Sequence, residues 1–137
     1  MDKIKKNFGF GCMRLPMAGE KVDYEEFNRM IDTFLEAGFN YFDTAHGYIS
    51  GKSETAIRDC LAARHPRQSY ILTNKLSPGY FKTREEIRPL IDSQLALCGV
   101  EYFDFLLMHA MNNDRFDFYQ QVGAFDEALL LKAEGKI

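Results

Sequence analysis

Four side chains in this 137-residue sequence have the types needed to place a proton on an oxygen: Asp43 in FNYFDTA, Tyr48 in HGYISGKSE, Lys75 in SYILTNK and His109 in FDFLLMHA. A phenol with an ordinary pKa near ~10 is a weak acid at neutral pH, but an adjacent ammonium stabilises its phenolate and strengthens it as an acid. Lys75 can supply that charge, and a carboxylate at Asp43 favours the cationic form of the lysine and fixes its direction. His109 can donate a hydrogen bond to the same oxygen, holding a carbonyl where Tyr48 can protonate it. The set suits reduction of a carbonyl. Taken singly, each residue also has a plainer reading. Asp43 can satisfy loop amides in an Asx-turn, Lys75 can be a solvated lysine at a strand end, Tyr48 a loop aromatic, and His109 a hydrogen-bonded buried histidine.

A parallel α/β arrangement would bring these residues onto one surface. Lys75 follows Asp43 by 32 residues and His109 follows Lys75 by 34, separations that each fit one strand–helix unit. The runs FGFGCMRL, FNYFDTA, SYILTNK and YFDFLLMH are of the short apolar kind that fills buried parallel strands, and each precedes a helical stretch. Asp23 with Glu26 resembles a capping box, opening a helix with Phe27, Met30, Ile31, Phe34 and Leu35 at helical spacing until Gly38. Ser53 is expected to cap a second helix, with Ile57, Cys60 and Leu61 on one face and a stop before Pro66. Thr83 with Glu86 opens a third, carrying Ile87, Leu90, Ile91, Leu95 and Cys98 on one stripe up to Gly99. Pro89 inside it predicts a bend or a later helical start, because proline in a regular interior costs about 3 kcal/mol. A fourth helix is expected to turn Phe118, Val122, Phe125 and Leu129 inward and to end near Gly135. In such a fold the strand C-termini point to one face, so Asp43, Lys75 and His109 meet there and the Tyr48 loop can fold over them.

Composition excludes several other functions. The net charge of −3, with no basic block beyond the three lysines of MDKIKK, argues against nucleic-acid binding. No apolar run approaches the ~20 residues of a membrane span, and the N-terminus lacks a signal-peptide layout, so the expected compartment is the cytoplasm. Cys12, Cys60 and Cys98 are odd in number and widely spaced, which predicts reduced, packed thiols. A metal-dependent hydrolase using Asp43 and His109 is disfavoured, since there is no His-x-His pair and Lys75 would put a cation beside the metal. His46 reads as a loop residue and His65 as a surface one; Met13, Met17, Met108 and Met111 fall near strand ends.

The same residues resemble the aldo-keto reductases. FDTAHGY followed by SE looks like that family's Asp-Thr-Ala-x-x-Tyr signature, LTNK matches its lysine strand, LLMH its histidine strand, and GFGCMRLP is similar to its first strand. The resemblance implies a catalytic tetrad of Asp43, Tyr48, Lys75 and His109, with Tyr48 as general acid toward a small-molecule carbonyl reduced by NADPH, and with Asp43 and Tyr48 near the nicotinamide. It places Cys12 where a small hydroxyl residue is common. The opening and the ending, DFYQQVGAFDEALLLKAEGKI, look most like a bacterial branch of oxidoreductases whose complete members often carry a further iron-sulfur domain.

Family members are (β/α)8 TIM barrels of ~250 residues, against four units here. Residues 1–137 are therefore expected to form a single incomplete domain, the parallel (βα)4 N-terminal half of such a barrel, truncated before the fifth strand. By the same resemblance, most residues that grip the cofactor lie beyond it. Two expectations follow: the isolated fragment is inactive or weak, and its unpaired strand edges drive homo-oligomerisation. The alternative is a non-catalytic half-barrel module that self-associates or binds a partner chain.

Overall fold

The computed structural model describes residues 3–137. Four parallel strands form the central sheet in the order β1 (Gly9–Gly11), β4 (Tyr41–Asp43), β5 (Ile71–Leu76) and β6 (Phe105–Met108). A short antiparallel hairpin, β2 (Met17–Ala18) with β3 (Lys21–Val22), follows β1. The run FGFGCMRL is thus strand over only three residues, and the chain then leaves the sheet for the hairpin. The helices are α1 (Tyr24–Glu36), α2 (Lys52–Ile57), α3 (Ile87–Cys98), α4 (Asn113–Gln121) and α5 (Ala124–Ala133). Among the described residues, β1 and β6 are the open edges of a four-stranded partial barrel.

The register assigns each strand residue a face. Gly9 pairs with Tyr41 and Gly11 with Asp43, while Asp43 aligns with Thr73, Thr73 with Phe105 and Lys75 with Leu107. Because side chains alternate along a strand, these residues share the face that is concave in a barrel, and Phe10, Phe42, Leu72 and Asn74 face the helices. On the helix side Phe10 and Phe42 stack at 5.6 Å, and Phe34 of α1 meets both, at 5.5 and 5.2 Å. Burying each such ring stabilises the fold by roughly 2–3 kcal/mol. On the concave side Tyr41 and Phe105 approach at 6.1 Å across β5, and Leu107 stays 42% exposed.

Helix α1 starts as expected, the Asp23 carboxylate accepting from the Glu26 amide at 3.0 Å, and it buries Phe27, Ile31 and Phe34 while Met30 stays exposed. Helix α2 departs from expectation. Ser53 is not its cap but lies inside its first turn, fully buried, and the chain enters through Gly51 at φ 83°. That left-handed entry favours glycine, and it frees the Ser53 hydroxyl for other partners. After Ile57 the helix loosens into a π turn, Arg58–Ala62, that buries Cys60 and Leu61. Pro89 causes no break: a 3-10 turn at Arg84–Glu86 carries the Thr83–Glu86 capping box, and the regular helix begins only at Ile87. Proline in that first turn removes little, because few amides there have an intrahelical acceptor.

The expected fourth helix is two. Asn112 caps α4 through the Arg115 amide at 2.9 Å, and Gly123 at φ 70° ends that helix and redirects the chain into α5. The change of axis turns Leu129 outward, 65% exposed, where a continuous helix would have buried it; Tyr119 and Leu131 are buried instead. Arg84 and Arg88 both donate to Glu127, at 3.0 and 2.9 Å, and hold α5 against α3.

Candidate active site

Topology brings the four sequence-predicted residues to one end of the sheet. Asp43 closes β4, Lys75 is the penultimate residue of β5, and His109 follows β6, its amide donating to the Leu76 carbonyl at 3.0 Å. Tyr48 comes from the loop after β4, whose next three residues, Ile49, Ser50 and Gly51, all have positive φ. Left-handed backbone costs roughly 1–2 kcal/mol at a non-glycine residue, so this loop is held by its surroundings rather than by local preference. Part of the hold is visible: the amides of Gly51 and Ser53 both donate to the Tyr48 carbonyl, at 3.1 and 3.3 Å.

Lys75 is the hub. Its ammonium forms an ion pair with Asp43, donates to the Thr44 carbonyl at 2.8 Å and lies 4.8 Å from the centre of the Tyr48 ring. The lysine is only 8% exposed, so its charge acts on its neighbours with little solvent screening. The rings of Tyr48 and His109 meet edge to face at 5.9 Å, and His109 Nδ1 is 2.6 Å from the Ser77 hydroxyl. His109 titrates below the ordinary imidazole range, first because burial penalises its charged form and then because Lys75 and Arg115 repel a second cation. Tyr48, Ser77, Pro78, Tyr80, His109, Ala110 and Arg115 line a cleft of about 350 Å³.

A buried polar layer between sheet and helices supports this end, and sequence reasoning missed it. Asn74 Oδ1 accepts from the Lys75 amide at 2.8 Å and from Gln94 at 3.0 Å, and Gln94 also donates to the Lys75 carbonyl at 3.1 Å. Asn74 Nδ2 donates to Glu54 at 2.8 Å, and the other Glu54 oxygen lies 2.8 Å from His46 Nδ1. The Ser53 hydroxyl donates to the Cys12 carbonyl at 2.9 Å and lies 2.8 Å from Thr44 Oγ1. His46 is therefore a loop residue with a definite partner, and His65 is half-buried against Asp32 at 3.1 Å. The three cysteines are buried; desolvation raises the Cys12 and Cys98 thiols strongly and pushes Cys60 up to about 11, leaving them in the thiol form at neutral pH. The signal for the hidden layer was a polar residue on the apolar face of its element: Asn74 in ILTNKL, Gln94 in the stripe of α3, Ser53–Glu54 at the start of α2.

Residues 7–137 match the aldo/keto reductase family along nearly the entire chain. The chain belongs to the aldo/keto reductase family. Norsolorinic acid reductase B of Aspergillus parasiticus is 30% identical over 113 residues, covering 73% of this chain and 29% of that protein. Among solved structures, the holo form of an aldo-keto reductase from Bacillus halodurans superposes with a TM-score of 0.71 at 26% identity, over 97% of this chain and 44% of the other. An aldo-keto reductase from Klebsiella pneumoniae, solved in complex with NADPH, gives a TM-score of 0.69 at 19% identity over 94% of this chain and 42% of that one. The chain thus spans less than half the length of these relatives, and its fold is a partial barrel of their kind.

Proposed function

We propose that this chain carries the catalytic half of an NADPH-dependent carbonyl reductase, with Asp43, Tyr48, Lys75 and His109 as its tetrad. The observation that carries the reading is the Lys75 ammonium, held by Asp43 and set against the Tyr48 ring beside His109. NADPH would supply the hydride at the carbonyl carbon, with its nicotinamide end against Asp43 and Tyr48. Tyr48 gives its proton to the developing alkoxide, and Lys75 stabilises the phenolate left behind. His109 acts as a neutral imidazole. With Nδ1 accepting from the Ser77 hydroxyl, its proton sits on Nε2, free to bind the substrate oxygen and orient the carbonyl.

The open sheet supports a second element of the reading. Precise placement of donor and acceptor accounts for roughly 7–11 kcal/mol in well-oriented reactions, and a four-stranded half cannot enclose a dinucleotide. The monomer is therefore expected to be inactive. Strand edges at β1 and β6, with Phe8, Leu107, Leu129 and Leu130 exposed, favour assembly of two copies. The same edges favour a second reading, a non-catalytic half-barrel that self-associates or binds another chain.

An NADPH fluorescence titration run with a light-scattering mass tests both. The catalytic reading expects saturable NADPH binding confined to the assembled species, and NADPH oxidation with a small aldehyde that falls at least ~100-fold in Tyr48→Phe. Turnover unchanged in Tyr48→Phe refutes the tetrad. A folded assembly that binds no NADPH supports the non-catalytic module.

A further inference from the structure

We propose that Arg115 forms an anion subsite in the candidate cleft, so that the preferred carbonyl substrate is an aldehyde or ketone that itself carries a carboxylate. The proposal rests on the reductase reading of the same cleft and narrows its substrate class.

Among the described residues that line the cleft, Arg115 is the permanently charged one. Lys75 is already paired with Asp43, and no carboxylate lines the cleft among the described residues, which leaves Arg115 as the cation on the cleft wall beside His109. Arg115 makes one side-chain hydrogen bond, Nη1 to the Ala110 carbonyl at 2.9 Å, and among the described residues it joins no ion pair with a carboxylate. A guanidinium has five donors, so its outer edge stays available for a planar carboxylate, which it binds with two parallel hydrogen bonds.

The backbone that presents Arg115 is braced in an unfavourable conformation. Ala110 sits at φ 52°, a left-handed value that a non-glycine residue adopts only when its surroundings impose it. Two contacts impose it here. The buried Tyr119 hydroxyl donates to the Leu76 carbonyl at 2.6 Å, with the His109 carbonyl at 3.2 Å, and Arg115 clamps the Ala110 carbonyl itself. The turn thus holds the oxygen-binding imidazole and the guanidinium on one rigid segment, facing one cleft. An oxo acid spans the two with its carbonyl on His109 and Tyr48 and its carboxylate on Arg115.

Amide NMR of the isotope-labelled chain tests this without turnover. The probes are 4-carboxybenzaldehyde and benzaldehyde, which differ in the carboxylate, with NADP+ and inorganic phosphate as separate arms. The expected result is shifts centred on Tyr48, Ser77, His109, Ala110 and Arg115, with the carboxylate probe bound on the order of five- to tenfold tighter. Arg115→Gln should abolish that preference, so that the two probes bind equally whatever the change common to both, while Arg115→Lys should retain part of it. A preference that survives Arg115→Gln overturns the proposal, as does an absence of shifts at these residues. Arg115-dependent shifts with NADP+ or phosphate but not with the carboxylate probe assign the guanidinium to a cofactor phosphate and also overturn it. The NADPH titration bears on the reductase reading alone, so the two can fail separately.

Discussion

Replacing Glu54 removes a carboxylate that ties the Tyr48 loop to the Lys75 strand through buried atoms. Glu54 is fully buried, with one oxygen accepting from Asn74 and the other set against His46, each at 2.8 Å. Truncation in Glu54→Ala deletes both bonds and leaves Asn74 Nδ2 with only the weak Cys98 Sγ acceptor, at 3.8 Å, on the helix side of β5. Hydrogen bonds to a charged group contribute about 1.5–3 kcal/mol each, and orphaning a buried polar group costs about 1–3 kcal/mol. These contributions overlap and the site relaxes, so the net loss expected is about 3–4 kcal/mol. Glu54→Gln keeps the shape: its carbonyl still accepts from Asn74 and its amide can donate to a neutral His46, so the expected loss is only about 1–2 kcal/mol. Urea unfolding followed by circular dichroism measures both. With an m-value of about 2 kcal/mol/M, Glu54→Ala should lower the midpoint by about 1.5–2 M, and Glu54→Gln by about 0.5–1 M. Midpoints for Glu54→Ala and Glu54→Gln that agree with each other, or a Glu54→Ala shift below about 0.3 M, would refute the claim that this carboxylate organises the layer.

The His109 imidazole, followed by NMR, should titrate below its ordinary value near ~6.5, and Lys75→Met, by removing a repelling charge, should raise it. Because the folded state then binds fewer protons than the unfolded one, the contribution of His109 to stability is complete above pH ~6.5 and declines as pH falls from there toward the folded value; His109→Gln should flatten that slope. A His109 pKa unmoved by Lys75→Met would show that burial and Arg115 depress it without Lys75. Leu107→Lys, which places a charge on the concave face of the open edge strand, should lower the light-scattering mass toward that of one chain, and an unchanged mass would locate the contact elsewhere.

The placement of the candidate residues was legible in the sequence because it is topological. Asp43, Lys75 and His109 end successive apolar strands, and parallel strands put their ends together whatever the intervening helices do. Helix starts were legible where the signal was local, as at Asp23 and Thr83. They were not where a side chain had a better distant partner. Ser53 has the chemistry of a cap, yet its hydroxyl reaches the Cys12 carbonyl 41 residues away, and the left-handed Gly51 opens the helix in its stead. The break at Gly123 was hidden for a different reason: the apolar spacing of Phe118, Val122 and Phe125 continues through it, and only the backbone conformation changes.

The buried layer shows why a site can be read from sequence more easily than its support. Lys75 announces itself by type at a strand end and Tyr48 in the loop that follows one. The residues that hold them do not, because Asn74, Gln94 and Glu54 become compatible with burial only once three separate elements are packed and each polar atom has found its partner. Asn74 joins the two levels: it grips the Lys75 amide on its own strand and the Glu54 carboxylate on the helix that closes the Tyr48 loop. Lys75 and the loop that carries Tyr48 are thereby fixed to one buried side chain, so their relative placement is set by the core of the sheet rather than by the loops around the cleft.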